Sequence, residues 1–137
     1  LDAALSEIDE MLKPQIKDEA QSTSNILKTS TGHEWEISDK NAKDLTSGLV
    51  WSLYDEDGLF NHETAVDKFG DKLPTKEEFE AAEQHGCREV LKLKNGWWWS
   101  ASVISNTHAS AWVFYGAFGI VSSINRNFDI AVRCVGR

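Results

Sequence analysis

Apolar side chains recur along this chain with two different periods. Over residues 1–28, Leu5, Ile8, Leu12 and Ile16 return every three or four positions with Asp, Glu and Lys between them. That spacing predicts a helix with one apolar face. Pro14 lacks an N–H and kinks or ends the helix near Lys13, and the polar run at 21–24 reads as a linker. From Thr31 the period drops to two. Trp35 and Ile37 alternate with Glu34 and Glu36 as in a short half-buried strand. A turn at 44–48 leads into an apolar strand at 49–54, which the acidic turn Asp55-Glu56-Asp57-Gly58 closes.

Two helices are predicted next. Asn61 can cap a helix over 62–69 that carries Ala65, Val66 and Phe69 on one face and has Gly70 just past its end. Thr75 followed three residues later by Glu78 has the form of a capping box, opening a helix that Gly86 stops. Strands are then expected at 88–93, 97–102, 110–115, 118–123 and 130–135, between loops rich in Gly, Asn and Ser. The order predicts an α+β domain over 31–137, two short helices beside a mixed or antiparallel sheet. Residues 1–30 precede it as a helix and linker, which either packs on its own domain or serves oligomerisation.

Charge and composition narrow the function classes. With 137 residues, 41% hydrophobic, the chain can build one core. A net charge of −8 and a pI near 4.9 argue against binding nucleic acid through phosphate neutralisation. No apolar run is long enough to span a bilayer, so membrane insertion is not expected. A chain that starts at Leu1 reads as a trimmed piece of a longer one.

Catalytic signatures do not emerge. A glycine-rich phosphate loop, a Gly-x-Ser-x-Gly elbow and a His-Glu-x-x-His pair are all missing from the sequence. The four His at 33, 62, 85 and 108 are scattered and read as surface residues. Asp55-Glu56-Asp57 lacks the rest of a calcium loop. Cys87 and Cys134 form no Cys-x-x-Cys pair, which disfavours zinc. They read as one disulfide or as two buried thiols. No enzyme activity, cofactor or metal is expected.

The last quarter of the chain uses a restricted alphabet. Every Lys, Glu, Gln, Leu, Pro and Met lies before residue 101. Replacing the adenines of an Asn codon, AAC or AAT, by any base can never yield Lys, Glu, Gln, Met or Trp. The vocabulary of residues 101–137 falls inside the accessible set, with Trp112 the exception. Strand preference alone would spare Leu. In Trp112-Val113-Phe114-Tyr115 both faces of one predicted strand are apolar. Phe118, Ile120, Ile124, Phe128 and Ile130 stand among Gly, Ser and Asn, and apolar residues in loops mark a contact surface.

Several segments, taken in order, resemble a known family. They are Ser47-Gly48-Leu49-Val50-Trp51, the helix from Asn61 to Phe69, Leu73-Pro74-Thr75-Lys76-Glu77-Glu78-Phe79, Trp99-Ser100-Ala101-Ser102, Ala111-Trp112-x-Phe114, Gly119 and Val132-Arg133-Cys134-Val135. Together, over roughly residues 44–137, they resemble the lectin-like C-terminal domain family of collagen-like adhesins. The resemblance implies a C-type lectin fold. With the Asn-codon vocabulary it also implies a variable protein of a diversity-generating retroelement, whose reverse transcriptase writes adenine errors into the 3′ end of its target gene.

On that resemblance Trp99, Ser100, Ala111, Trp112, Phe114, Gly119, Val121, Val132, Arg133, Cys134 and Val135 match the scaffold. Trp112 and Phe114 would anchor inward, and Arg133 would hold the platform. The variable, ligand-binding positions would lie within about 101–131: Ile104, Thr107, His108, Ala109, Val113, Tyr115, Ala117, Phe118, Ile120, Ser122, Ser123, Ile124, Asn125, Asn127, Phe128 and Ile130. Val113 and Tyr115 would project outward, with Tyr115 and Phe118 as binding anchors. The ligand would be a protein or another cell-surface molecule, met at a cell surface or on a virion. An undiversified adhesin domain with a fixed glycan or protein site is the rival reading. The chain lacks the Glu-Pro-Asn and Trp-Asn-Asp calcium triads of sugar-binding relatives, and the Arg-Gly-Gly-Ser-Trp segment of the related formylglycine-generating enzymes.

Overall fold

The computed structural model describes residues 25–104 and 109–137, so the helix expected before residue 25 lies outside the described residues. In chain order the elements begin with strands β1 (Ile26–Lys28), β2 (Glu34–Ile37), β3 (Asn41–Asp44) and β4 (Val50–Ser52). Helices α1 (His62–Phe69), α2 (Lys76–Gln84) and α3 (Cys87–Leu91) follow, with a 3₁₀ turn at Gly70–Lys72 between the first two. Strands β5 (Trp97–Val103), β6 (Ser110–Tyr115), β7 (Ile120–Asn125) and β8 (Val135–Gly136) complete the chain.

The class is α+β with two antiparallel sheets. One runs β1-β2-β3-β4-β8, and the other runs β5-β6-β7. The chain thus leaves the first sheet after β4, builds the helices and the second sheet, and returns to pair Val135 with Trp51 and Gly136 with Val50. A parallel bridge from Trp98 to Ala131 adds a mixed contact to the second sheet.

The helix caps follow from the local sequence. The Asn61 side chain accepts from the Thr64 N–H at 2.9 Å, satisfying a donor that α1 leaves open. In α2, Thr75 Oγ1 accepts from the Glu78 N–H while Glu78 accepts from the Thr75 N–H at 2.8 Å, a complete capping box.

Elsewhere the structure corrects local readings. Residues 26–28 are a strand, not the end of a helix, because Leu27 pairs across to Trp35. The strand expected at 88–93 is the helix α3. Gly86 takes a left-handed conformation (φ +87) that turns the chain after α2, and Cys87, Val90 and Leu91 then meet the core at helical spacing. The strand expected at 118–123 is β7, shifted to 120–125, because residues 116–119 form the turn. Of the run 130–135 only Val135 belongs to a named strand, while Ile130 and Ala131 make isolated bridges.

Cys87 and Cys134 are both free thiols, so the disulfide reading is corrected. The physical reason is their placement in different packing clusters. Burial, and then Glu83, push the Cys87 thiol far up, and burial followed by Glu56 raises Cys134 to about 11. Both thiols stay protonated at neutral pH and are poor nucleophiles.

Two apolar clusters fill the space between elements. The first joins Trp35 and Trp51 of the five-stranded sheet to Phe79 of α2, to α3, and to Trp98 and Phe114 on one face of the second sheet. Phe79 stacks on Phe114 at 5.1 Å. The second joins Ala65 of α1 and Leu73 to Trp99, Ala111 and Val113 on the opposite face, and to Val132. The three-stranded sheet is therefore covered on both sides over much of its area.

Candidate functional site

Register decides which side chains of the second sheet share a face. Tyr115 stands opposite Ile120, Val113 opposite Ser122, and Ala111 opposite Ile124. Since strand side chains alternate, Tyr115, Val113, Ile120, Ser122 and Ile124 share one face with Trp97 and Trp99. Val121, Ser123 and Asn125 take the other face, beside Trp112 and Phe114.

Part of the first face is open and apolar. Tyr115 lies flat against Trp97, ring centroids 4.0 Å apart and 10° from parallel. Phe118, in the β6–β7 turn, meets Tyr115 edge-on at 5.1 Å. Phe118 is 67% exposed, Phe128 58% and Ile120 49%, values far above those of core residues. Beside Trp97 a cavity of about 280 Å³ is lined by Ile124, Phe128, Asp129 and Ile130. The loop 126–129 separates it from a second, polar cavity of about 320 Å³ lined by Asn61, Glu63, Arg126 and Asn127.

The structure therefore brings Tyr115, Phe118, Ile120, Ile124, Phe128 and Ile130 to one side and separates others of the expected site. Ser122 shares their face but is half-buried, and Ser123 and Asn125 face away. Ala109, Ala117 and Asn127 are exposed in loops and Ile104 is half-buried just past β5. Thr107 and His108 lie outside the described residues.

Two positions need correction. Val113, expected outward, is fully buried against the second cluster, and Trp112, expected inward, is only half-buried with the Lys76 ammonium 4.7 Å from its ring centroid. Side chains still alternate along β6, but as the middle strand it is covered on both faces: Val113 packs among Ala65, Leu73, Trp99 and Val132, while Trp112 on the other face is covered only in part, with Lys76 of α2 over its ring.

The supporting residues below the surface are tightly bonded. Trp99 is fully buried and its Nε1–H donates to the Phe60 carbonyl at 2.7 Å. Arg133 donates to the Ser52 and Leu91 carbonyls and, at 2.8 Å, to Asp55 Oδ1. Trp98 Nε1–H donates to the same Asp55 oxygen. Asp55, read from sequence only as part of an acidic turn, is thus the acceptor that joins Trp98 to Arg133. An unpaired buried guanidinium would demand such a partner. Arg133 was legible, but which of the three nearby acids answers it was not.

Among the described residues, His33, His62 and His85 are not scattered surface residues; each is buried or half-buried. His62 is fully buried, and its Nε2–H donates to the Ser100 carbonyl at 3.0 Å while Nδ1 has no partner. Burial lowers its pKa below 6.5; the Ser100 bond opposes this and the Arg126 charge adds to it. His85 Nδ1 pairs with buried Asp44 at 2.6 Å, and the His33 ring packs tilted against His85, centroids 4.4 Å apart, while bonding Thr46. A nucleophilic triad needs one imidazole to touch both hydroxyl and carboxylate. Here two imidazoles divide those contacts. Among the described residues no three His, Cys, Asp or Glu side chains gather as a metal centre requires, and no helix is long and apolar enough to cross a membrane.

Trp97 is the central residue that sequence reading missed. The run Trp97-Trp98-Trp99 held the signal: three consecutive bulky residues on a strand must face both ways, and the one nearest the strand end reaches the rim of the sheet. Compared with known families and with curated proteins, the chain matches none.

Proposed function

We propose that this protein is a ligand-binding, receptor-recognition domain of C-type lectin fold. In this reading it works by binding and not by catalysis, and its C-terminal surface is diversified by adenine-directed mutagenesis of a retroelement. The observation that carries the reading is the gathering of Tyr115, Phe118, Ile120, Phe128 and Ile130, all codon-compatible with altered Asn codons, on one side of the second sheet. Large exposed aromatics are costly to leave in water unless a partner covers them. The fold component is supported by the two antiparallel sheets, the short flanking helices and the return of β8 to the first sheet. Trp99, Arg133 and Asp55 hold the backbone by bonds that involve none of the side chains proposed to vary. A surface can change freely only over such a floor.

Copies of the gene from independent isolates test the reading. Codons 115, 118, 120, 124, 128 and 130 should differ between copies, and a near-repeat of the segment should lie close to a reverse transcriptase gene. Uniform codons would favour a fixed-site adhesin domain. At the protein level, Tyr115→Ala with Phe118→Ala should abolish binding to a peptide selected on the wild-type domain from a displayed random library. The melting temperature should stay within about 2 °C, as for surface substitutions; a fall of several degrees would place these rings in the core.

A further inference from the structure

We propose that the cavity beside Trp97 accepts a cationic side chain, arginine above all, from a protein ligand, with Trp97 as a constant aromatic wall and Asp129 as its counter-charge. The inference deepens the ligand-binding reading and rests on it. The cavity, about 280 Å³, falls below the usual range of about 300–1,000 Å³ for small-molecule sites. It suits a single inserted side chain. Trp97, Ile124, Phe128 and Ile130 supply apolar walls, and Asp129 is the single charged group among the lining residues.

An aliphatic stem ending in a planar cation matches that mixture. The stem is desolvated along the Ile walls, the guanidinium is drawn to the indole, and the carboxylate accepts its N–H groups. A neutral apolar side chain would leave Asp129 unpaired at the mouth, and an anionic one would be repelled by it and by the chain's net charge of −8.

Trp97 also differs in kind from its neighbours on the surface. Tryptophan has one codon, TGG, which contains no adenine, so adenine-directed change cannot alter it. Its stacking on Tyr115 at 4.0 Å further ties it to the exposed ring ladder. Side chains at 115, 124, 128 and 130 would then vary around a wall that does not, so that the ligands selected would share a cationic group.

The test uses Nα-acetyl-arginine amide and its neutral isostere Nα-acetyl-citrulline amide, titrated into the full chain labelled with ¹⁵N. The Trp97 indole N–H signal is identified by its loss in Trp97→Phe. The arginine probe should shift that signal at concentrations about fivefold lower than citrulline, the scale of one partly exposed ion pair. Asp129→Asn should bring arginine down to the citrulline level.

Equal response to the two probes, no shift at Trp97 with either, or an arginine preference that survives Asp129→Asn would each overturn the proposal. So would a Trp97 shift that follows protein concentration alone, which would assign the cavity to a second copy. Failure here leaves the diversified-surface reading resting on the gene survey and on the Tyr115/Phe118 variant. Failure of those two, with the arginine titration intact, would remove that reading and keep the subsite.

Discussion

His62 shows how much a single residue can depend on its surroundings. Its imidazole is enclosed between Ser100 and the edge of Trp99, 4.9 Å away, with Nδ1 sealed from water. Taking up a proton there would bury a charge without a partner. In the unfolded chain the same ring titrates near 6.5. Below that pH the unfolded state binds more protons than the folded one, so stability falls as pH drops from 6.5 toward the lower folded value, and is unaffected above it. The slope from this group reaches at most about 1.4 kcal/mol per pH unit. His62→Gln keeps a donor toward Ser100 and removes the titration. Urea unfolding at about pH 7.5 and about pH 5.5 should show wild type losing more stability than the variant. Gly116 makes a steric case on the same scale: a Cβ there would collide with the Leu93 carbonyl and the Trp98 ring.

At the scale of elements, strand β6 carries the division between scaffold and surface. One face of it packs Phe114 against Phe79 of α2, and the other packs Ala111 and Val113 among Trp99, Leu73 and Val132. Solvent reaches it only in part, at Ser110, Trp112 and Tyr115. Val113 therefore belongs to the core although it shares a face with Tyr115. Val113→Ala should cost roughly 2 kcal/mol of unfolding free energy by the loss of buried methyl groups and the cavity they leave. Chemical denaturation checks it. A change under about 0.5 kcal/mol would return Val113 to the surface set.

For the whole molecule, the bonds from Arg133 tie together segments 42 to 81 positions apart. They join the end of β4 through Ser52, the end of α3 through Leu91, and β5 through Asp55 and Trp98. Arg137 makes a comparable clamp at the chain end. It donates to both Glu78 oxygens at 2.7 Å and to the Asp71 and Leu73 carbonyls. Burial alone would raise the Glu78 pKa, but the bonds from Arg137 and Thr75 outweigh it and hold the carboxyl below its ordinary value. Arg133→Ala should destabilise the protein by about 3 kcal/mol, since it strands the buried Leu91 carbonyl and the part-buried Ser52 carbonyl and Asp55 loses its cation. Asp55→Asn should cost less, because the amide oxygen still accepts and the side chain is 41% exposed. Equal stability of wild type and Arg133→Ala would show that the sheets hold each other by apolar packing alone.

What the sequence determined by itself was local. Caps at Asn61 and Thr75, the helices after them, the strand around Trp35 and the strand Ser110–Tyr115 depend on neighbours within a few residues, so spacing and residue type suffice. The restricted alphabet after residue 100 is likewise a property of the chain alone. Tertiary structure decided the rest. Residues 87–91 are as apolar as a strand, and only their packing behind α2 makes them a helix. Whether Val113 or Trp112 is inside depends on what covers each face of β6, and the fates of Asp55, His62 and the two thiols depend on groups 38 or more residues away. Burial is a relation between distant segments, and a binding surface is what that relation leaves uncovered.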